Sequence, residues 1–153
     1  MKPVVLVVDD SEADRYLVGR VARESDGVED VVELDDGERL VELLDQAATT
    51  QAGSGGDPYL VFLDVHMRRM GGLQVLDALT QRGWDRSRTL HVVMMLASGR
   101  EECIREHAGR SSLVKDFIVK PLDSSEFRRI LEELFPDTRR AGRPVSRGAT
   151  ELR

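Results

Sequence analysis

The chain reads as an α/β protein, a doubly wound five-stranded parallel sheet with a helix after each strand. Three short apolar runs rich in β-branched residues predict the sheet: Val4-Val5-Leu6-Val7-Val8, Leu60-Val61-Phe62-Leu63 and Phe117-Ile118-Val119. Continuous runs of this length match strands buried on both faces, as in parallel sheets. Segments with helical spacing of apolar residues lie between them, and parallel strands require such crossovers. A further observation locates the chemistry. Asp9 and Asp10, Asp64, and Lys120 each stand just past one of these runs, and open α/β sheets bind ligands outside the carboxyl ends of their strands.

The elements follow in order. Residues 4–8 form the first strand. Ser11 is placed to cap a first helix whose apolar side is Tyr16, Leu17, Val18 and Val21. Residues 28–34 give a second strand, the least apolar because it carries Asp30 and Glu33. Asp36-Gly37 breaks the chain before a helix bearing Leu40, Val41, Leu43 and Leu44. Residues 49–58, rich in Gly, Ser and Thr, make a loop within the domain. The third strand, residues 59–63, ends at Asp64, and after Gly71-Gly72 a third helix uses Leu73, Val75, Leu76 and Leu79. A polar connection over 84–89 leads into a fourth strand over 91–96, and a short helix spans about 101–108. The fifth strand is residues 117–119. The last helix covers 124–134 with Phe127, Ile130, Leu131 and Leu134 on one face, and Pro136 stops it.

A length of 153 residues suits one domain with a true core, here residues 1–135. Residues 136–153 form a basic tail, with Arg139, Arg140, Arg143, Arg147 and Arg153 against Asp137 and Glu151, and its composition predicts disorder. The net charge of −6 therefore understates how acidic the domain is, which argues against nucleic acid as a partner. No apolar run approaches the roughly 20 residues of a membrane span, and no signal-peptide core follows Met1-Lys2-Pro3. A single cysteine, Cys103, excludes an internal disulfide. The expectation is a cytoplasmic protein with no membrane partner.

Three carboxylates and one lysine arriving from three strands predict a magnesium and phosphoryl site. Mg²⁺ takes oxygen ligands and keeps several waters, so a few carboxylates suffice. Phosphoryl transfer needs alignment and charge stabilisation more than covalent help, and an aspartate is a known covalent acceptor. Without the metal the clustered carboxylates repel one another, which should raise an apparent pKa and weaken the fold.

The segments VVLVVDD (residues 4–10), FLDVHMRRMGGL (62–73) and DFIVKP (116–121) together resemble the receiver domain of two-component response regulators, over about residues 2–135. The resemblance implies a (βα)5 flavodoxin-like receiver fold. It also implies that Asp64 accepts a phosphoryl group from a histidine kinase. Asp9, Asp10 and the backbone carbonyl of His66 then hold Mg²⁺ with Asp64, and Lys120 pairs with the phosphoryl oxygens. Phe117 falls at the family's switch aromatic, and Lys120-Pro121 matches a peptide usually cis there. The His66 side chain falls at a position that tunes hydrolysis. The long loop before the third strand, with no fused output domain expected, looks similar to the stand-alone regulators of bacterial phytochromes, which suggests a phytochrome-type sensor kinase as partner. The implied role is a phosphoacceptor with at most weak self-dephosphorylation, not an enzyme.

The chain departs from the family pattern in three places. A Thr or Ser normally ends the fourth strand, but Met94-Met95-Leu96-Ala97-Ser98-Gly99 puts Leu96 there if Ala97 aligns with the usual small residue. Ser98 is the nearby hydroxyl, about 6–7 Å further along a regular strand. The spacing to Lys120 fits Ser98 better unless residues are inserted near Ser111-Ser112-Leu113; Leu96 is the preferred assignment. Arg68 stands in place of a usual proline and Gly71 in place of an acidic or amide residue. Arg68 and Arg69 are either solvated, attract the kinase or phosphate, or lean over the site as counter-ions when no metal is bound.

These departures motivate an alternative, a pseudo-receiver that binds partners without phosphorylation. A flavin enzyme is disfavoured, because the acidic Asp9-Asp10-Ser11-Glu12-Ala13-Asp14 would repel a cofactor phosphate. A homodimer through the face of helix four, strand five and helix five is a further expectation. His91, His107 and Cys103 are read as structural residues.

Overall fold

A computed structural model describes residues 1–50 and 56–136. Strands and helices alternate: β1 (Val4–Val8), α1 (Glu12–Arg23), β2 (Asp30–Leu34), α2 (Gly37–Thr50), β3 (Tyr59–Asp64), α3 (Gly72–Gln81), β4 (Leu90–Leu96), α4 (Glu102–Gly109), β5 (Val114–Val119) and α5 (Ser124–Leu134), with a 3₁₀ turn at Trp84–Arg86. The sheet order is β2-β1-β3-β4-β5 and every pairing is parallel. The chain therefore winds one way from β1 to β2 and the other way from β3 onward. Ligands bind at such a switch point. Val8 pairs with Leu63, so Asp9 and Asp64 leave neighbouring strands side by side.

Alternation along the strands builds two cores. On one face Leu6, Val8, Val61, Leu63, Met94 and Leu96 pack with Leu40, Leu44, Val75 and Leu79 of α2 and α3. On the other, Val5, Val7, Phe62, Val93 and Ile118 pack with Val18 and Ala22 of α1 and Phe127 and Ile130 of α5. The rings of Phe62 and Phe127 lie 5.6 Å apart. At about 25 cal/mol per Å² of apolar surface, these two layers dominate the stability.

Some sequence expectations shift. Tyr16 and Leu17 are exposed on α1, whose buried stripe is Val18, Gly19 and Ala22. Val18 and Ala22 are one turn apart, and at about 100° per residue Tyr16 and Leu17 fall on the flank. Strand β5 begins at Val114 rather than 117, and its extra residues Lys115 and Asp116 suit a strand at the sheet edge. Strand β2, the other edge, starts at Asp30 rather than 28. Helix α2 runs on through Thr50 into the expected loop; residues 51–55 of that loop, and the tail from 137, lie outside the described residues. Against β4, Val92 pairs with Val114 but Val93 pairs with Asp116. Lys115 is thus the extra residue of a β-bulge. His91 packs edge-on against Phe135, at 4.8 Å between rings, and His107 lies 3.9 Å from Asp77 on the surface.

Candidate metal and phosphoryl site

The carboxyl edge of the sheet gathers the residues that the sequence singles out. Asp9 and Asp64 are the buried charged residues among those described, at 3% and 5% exposure, and Asp10 is half-buried. One carboxylate oxygen from each of Asp9, Asp10 and Asp64 lies within 4.8 Å of the others. Lys120, delivered by β5 and anchored by its N–H to the Leu96 carbonyl at 2.9 Å, reaches across with its ammonium. Lys120 Nζ is 2.9 Å from Asp9 Oδ2, 3.0 Å from Asp64 Oδ1 and 2.9 Å from Asp14 Oδ2. The Lys120-Pro121 peptide is cis.

Local hydrogen bonds fix the acidic residues. The Ser11 N–H donates to Asp9 Oδ1 at 2.9 Å, and Ser11 Oγ accepts the Asp14 N–H as the cap of α1. Arg15 donates to the Asp9 carbonyl at 2.8 Å. The Arg68 N–H donates to Asp10 Oδ2 at 2.9 Å, tying the loop after β3 to β1. Gly72 opens α3 directly against the end of β3; a Cβ there would stand 2.7 Å from the Asp64 carbonyl and 3.0 Å from Val65 Cα.

Burial drives the electrostatics. It pushes the Asp64 carboxyl up to about 6; the Lys120 hydrogen bond pulls the other way, and the charges of Asp9 and Asp10 add to the rise. The repulsion expected from sequence is present, but desolvation outweighs it. Burial alone would lower the Lys120 ammonium, yet its hydrogen bonds to Asp14, Asp9 and Asp64 hold it above its ordinary value. One cation thus serves three carboxylates.

The rim settles differently from the core. The Arg68 guanidinium lies 3.7 Å from Asp10 but is 90% exposed, so it contributes little charge compensation. Arg69 turns away and pairs with Asp36 and Glu38. Leu96 is fully buried at the end of β4. Ser98 is exposed, and its Oγ accepts the Arg100 N–H at 3.2 Å. Phe117 is half-buried under the Arg105 guanidinium, 5.4 Å from its ring centre. His66 is exposed and bonds Glu101 across the site mouth at 2.6 Å. A cleft of about 670 Å³ lined by Asp10, His66, Arg68, Leu73 and Ile104 gives access from solvent.

Two members of this constellation escape a motif reading. Asp14 lies on the first turn of α1 three residues after the cap, where a helix starting at the sheet edge points back towards that edge. Glu101 precedes α4, and only the fold brings it to His66, 35 residues away in sequence.

The donor set suits a hard divalent cation. It is all oxygen, anionic and half-open, as Mg²⁺ requires, and it offers no thiolate or imidazole for a softer metal.

Known proteins resemble this chain. The family model described as "Response regulator receiver domain" matches residues 5–132. The two-component response regulator ORR11 of Oryza sativa subsp. indica is 28% identical over 138 residues, covering 88% of this chain and 82% of the relative. The probable methanogenesis regulatory protein FilR2 of Methanothrix harundinacea is 25% identical over 131 residues, covering 86% and 80%. Among solved structures, a two-component response regulator from Cytophaga hutchinsonii superposes with a TM-score of 0.76 at 19% identity, covering 89% of this chain and 99% of that one. The bacteriophytochrome response regulator RtBRR gives 0.68 at 24%, covering 88% and 79%. At those identities the structural likeness speaks to the fold alone. The match over residues 5–132 carries the assignment further: the chain belongs to the response regulator receiver domain family.

Proposed function

We propose that the chain is a Mg²⁺-dependent signalling switch that accepts a phosphoryl group on Asp64 from a histidine kinase. The observation that carries this reading is the Lys120 ammonium 3.0 Å from the Asp64 carboxylate, inside a cluster with Asp9 and Asp10. An Asp64 oxygen attacks phosphorus, and the phosphorus–nitrogen bond of a phosphohistidine breaks. The electron pair leaves with the imidazole, which takes up a proton. Asp9, Asp10, Asp64 and the His66 carbonyl would hold Mg²⁺, which when bound neutralises phosphoryl charge. Lys120 exchanges a carboxylate partner for a phosphoryl oxygen, and the half-open site lets water end the signal slowly.

Leu96 takes the place of the strand-four hydroxyl, with Ser98 left at the rim, and Phe117 is the aromatic whose packing responds. A phytochrome-type kinase is the proposed partner; the fold likeness to RtBRR supports it. A homodimer through α4, β5 and α5 belongs to the same proposal. Among the described residues no helix is long and apolar enough to cross a membrane, in keeping with a cytoplasmic site of action.

Incubation with acetyl phosphate and Mg²⁺, and with candidate histidine kinases, tests the reading. Wild type should be labelled and Asp64→Asn should not. Undiminished labelling of Asp64→Asn removes Asp64 as acceptor, and no labelling of wild type favours a pseudo-receiver.

A further inference from the structure

The Glu101 carboxylate bridges the loops that leave β3 and β4, and nothing in the proposed transfer uses it. Its Oε2 accepts the N–H groups of Ala97 at 2.9 Å and Ser98 at 3.0 Å, and its Oε1 bonds His66 Nε2 at 2.6 Å. Its side chain is only 13% exposed. It therefore straps together the two loops that flank Asp64, the one leaving β3 and the one leaving β4. Asp64 pairs with Met95, so the Ala97 N–H lies two residues beyond the acceptor's partner on the adjacent strand. Strand spacing and rise put that residue about 8 Å from Asp64. Consecutive backbone N–H groups at a turn form a seat for an anion. Here the anion is the chain's own carboxylate.

A phosphoryl group on Asp64 would bring a second anion to the same edge. Leu96 offers it no hydroxyl, and Ser98 is exposed at the rim, where its Oγ accepts the Arg100 N–H. The loop N–H groups are then the donors that the end of β4 can supply, and two anions cannot share them without repulsion. Resting on the acceptor role of Asp64, we propose that Glu101 is an internal anion that holds this seat in the unphosphorylated protein and is evicted on phosphorylation. Glu101 immediately precedes α4, and its carbonyl accepts the Arg105 N–H at 3.0 Å. Eviction cuts the strap to His66 and frees the first turn of α4. The state of Asp64 thereby reaches the α4 surface without a hydroxyl on strand four. Glu101 is a positioning residue, not a catalytic one.

The test uses the full chain with Mg²⁺ and beryllium fluoride, or acetyl phosphate, read by backbone NMR, amide exchange and mass. In wild type the Ala97, Ser98 and His66 resonances should shift on saturation, and amides in the first turn of α4 should exchange at least tenfold faster. Glu101→Gln keeps the shape and removes the charge. It should show part of that shift unphosphorylated and be labelled several-fold faster than wild type. Ala97 and Ser98 resonances that stay fixed while Asp64 is labelled overturn the inference, whatever the variant does. So does Glu101→Gln labelling within twofold of wild type. Failure of the acceptor reading shows separately, as absence of any mass change in wild type, and Glu101 eviction falls with it.

Discussion

Lys120 Nζ stands 3.0 Å from Asp64 Oδ1 while also bonding Asp9 and Asp14 at 2.9 Å, so a single ammonium balances three carboxylates at the sheet edge. That ratio leaves the metal-free site under-neutralised. It makes the site sensitive to pH, to divalent cations and to each of its members.

The first consequence concerns pH. The folded-state pKa of Asp64 is about 6 against an ordinary 3.8, so the folded chain holds a proton that the unfolded chain has released between those values. Stability from this group is present below about pH 4 and lost as pH rises towards 6, then constant. Other carboxylates titrate too, and the difference between wild type and Asp64→Asn isolates it. In chelator, Asp64→Asn should melt several degrees above wild type at pH 7 and the gap should shrink towards pH 4; about 1 kcal/mol corresponds to about 4 °C. Saturating Mg²⁺ should narrow the gap at pH 7. A gap that ignores pH counts against the assignment.

Removing the ammonium tests the other side of the pair. Lys120→Met strands three carboxylates, two of them buried, and should destabilise the metal-free protein by about 1–3 kcal/mol. Denaturant titrations with and without Mg²⁺ should show partial recovery with the cation. Acetyl phosphate labelling should fall at least tenfold. Equal stability in chelator would mean that the cluster is solvated rather than dependent on Lys120.

The end of β4 separates two residues cleanly. Ser98→Ala touches an exposed side chain, and both its melting temperature and its labelling rate should stay close to wild type, the rate within twofold. Leu96→Thr puts a hydroxyl into a fully buried apolar position and should cost about 2–4 kcal/mol. If Ser98→Ala cuts labelling tenfold instead, Ser98 is the phosphoryl ligand after all.

Gly72 offers a purely steric test. A methyl group there meets the Asp64 carbonyl at 2.7 Å, and backbone atoms cannot rotate aside. Gly72→Ala should cost about 1–3 kcal/mol and slow labelling, because the clash moves the residue that carries the acceptor. Wild-type labelling would show that α3 can back away from β3 freely.

Much of this was legible in the chain itself, and the reason is physical. Buried parallel strands demand unbroken apolar runs, so Val4–Val8 and Tyr59–Asp64 announce themselves, and with them the charged residues at their ends. Edge strands are less constrained. The polar Lys115 and Asp116 conceal the first half of β5, and Val28 packs on the core from just outside β2, so that its apolar side chain mimics a strand residue. The aspect of α1 failed where Tyr16 and Leu17 looked like core, because small residues, Gly19 and Ala22, fill the buried stripe instead. Asp14 and Glu101 carry no motif. Their roles come from a helix start and from a contact between distant loops, which periodicity does not encode.

The unpaired Lys115 in β5 has a consequence for any exchange of segments between relatives. One extra residue inverts the parity of a strand, so Phe117, Ile118 and the approach to Lys120 owe their sides of the sheet to it. Counting residues from strand four to the lysine is therefore no ruler for this edge. A fifth strand grafted from another receiver must carry the same odd residue for both of its halves to keep these faces.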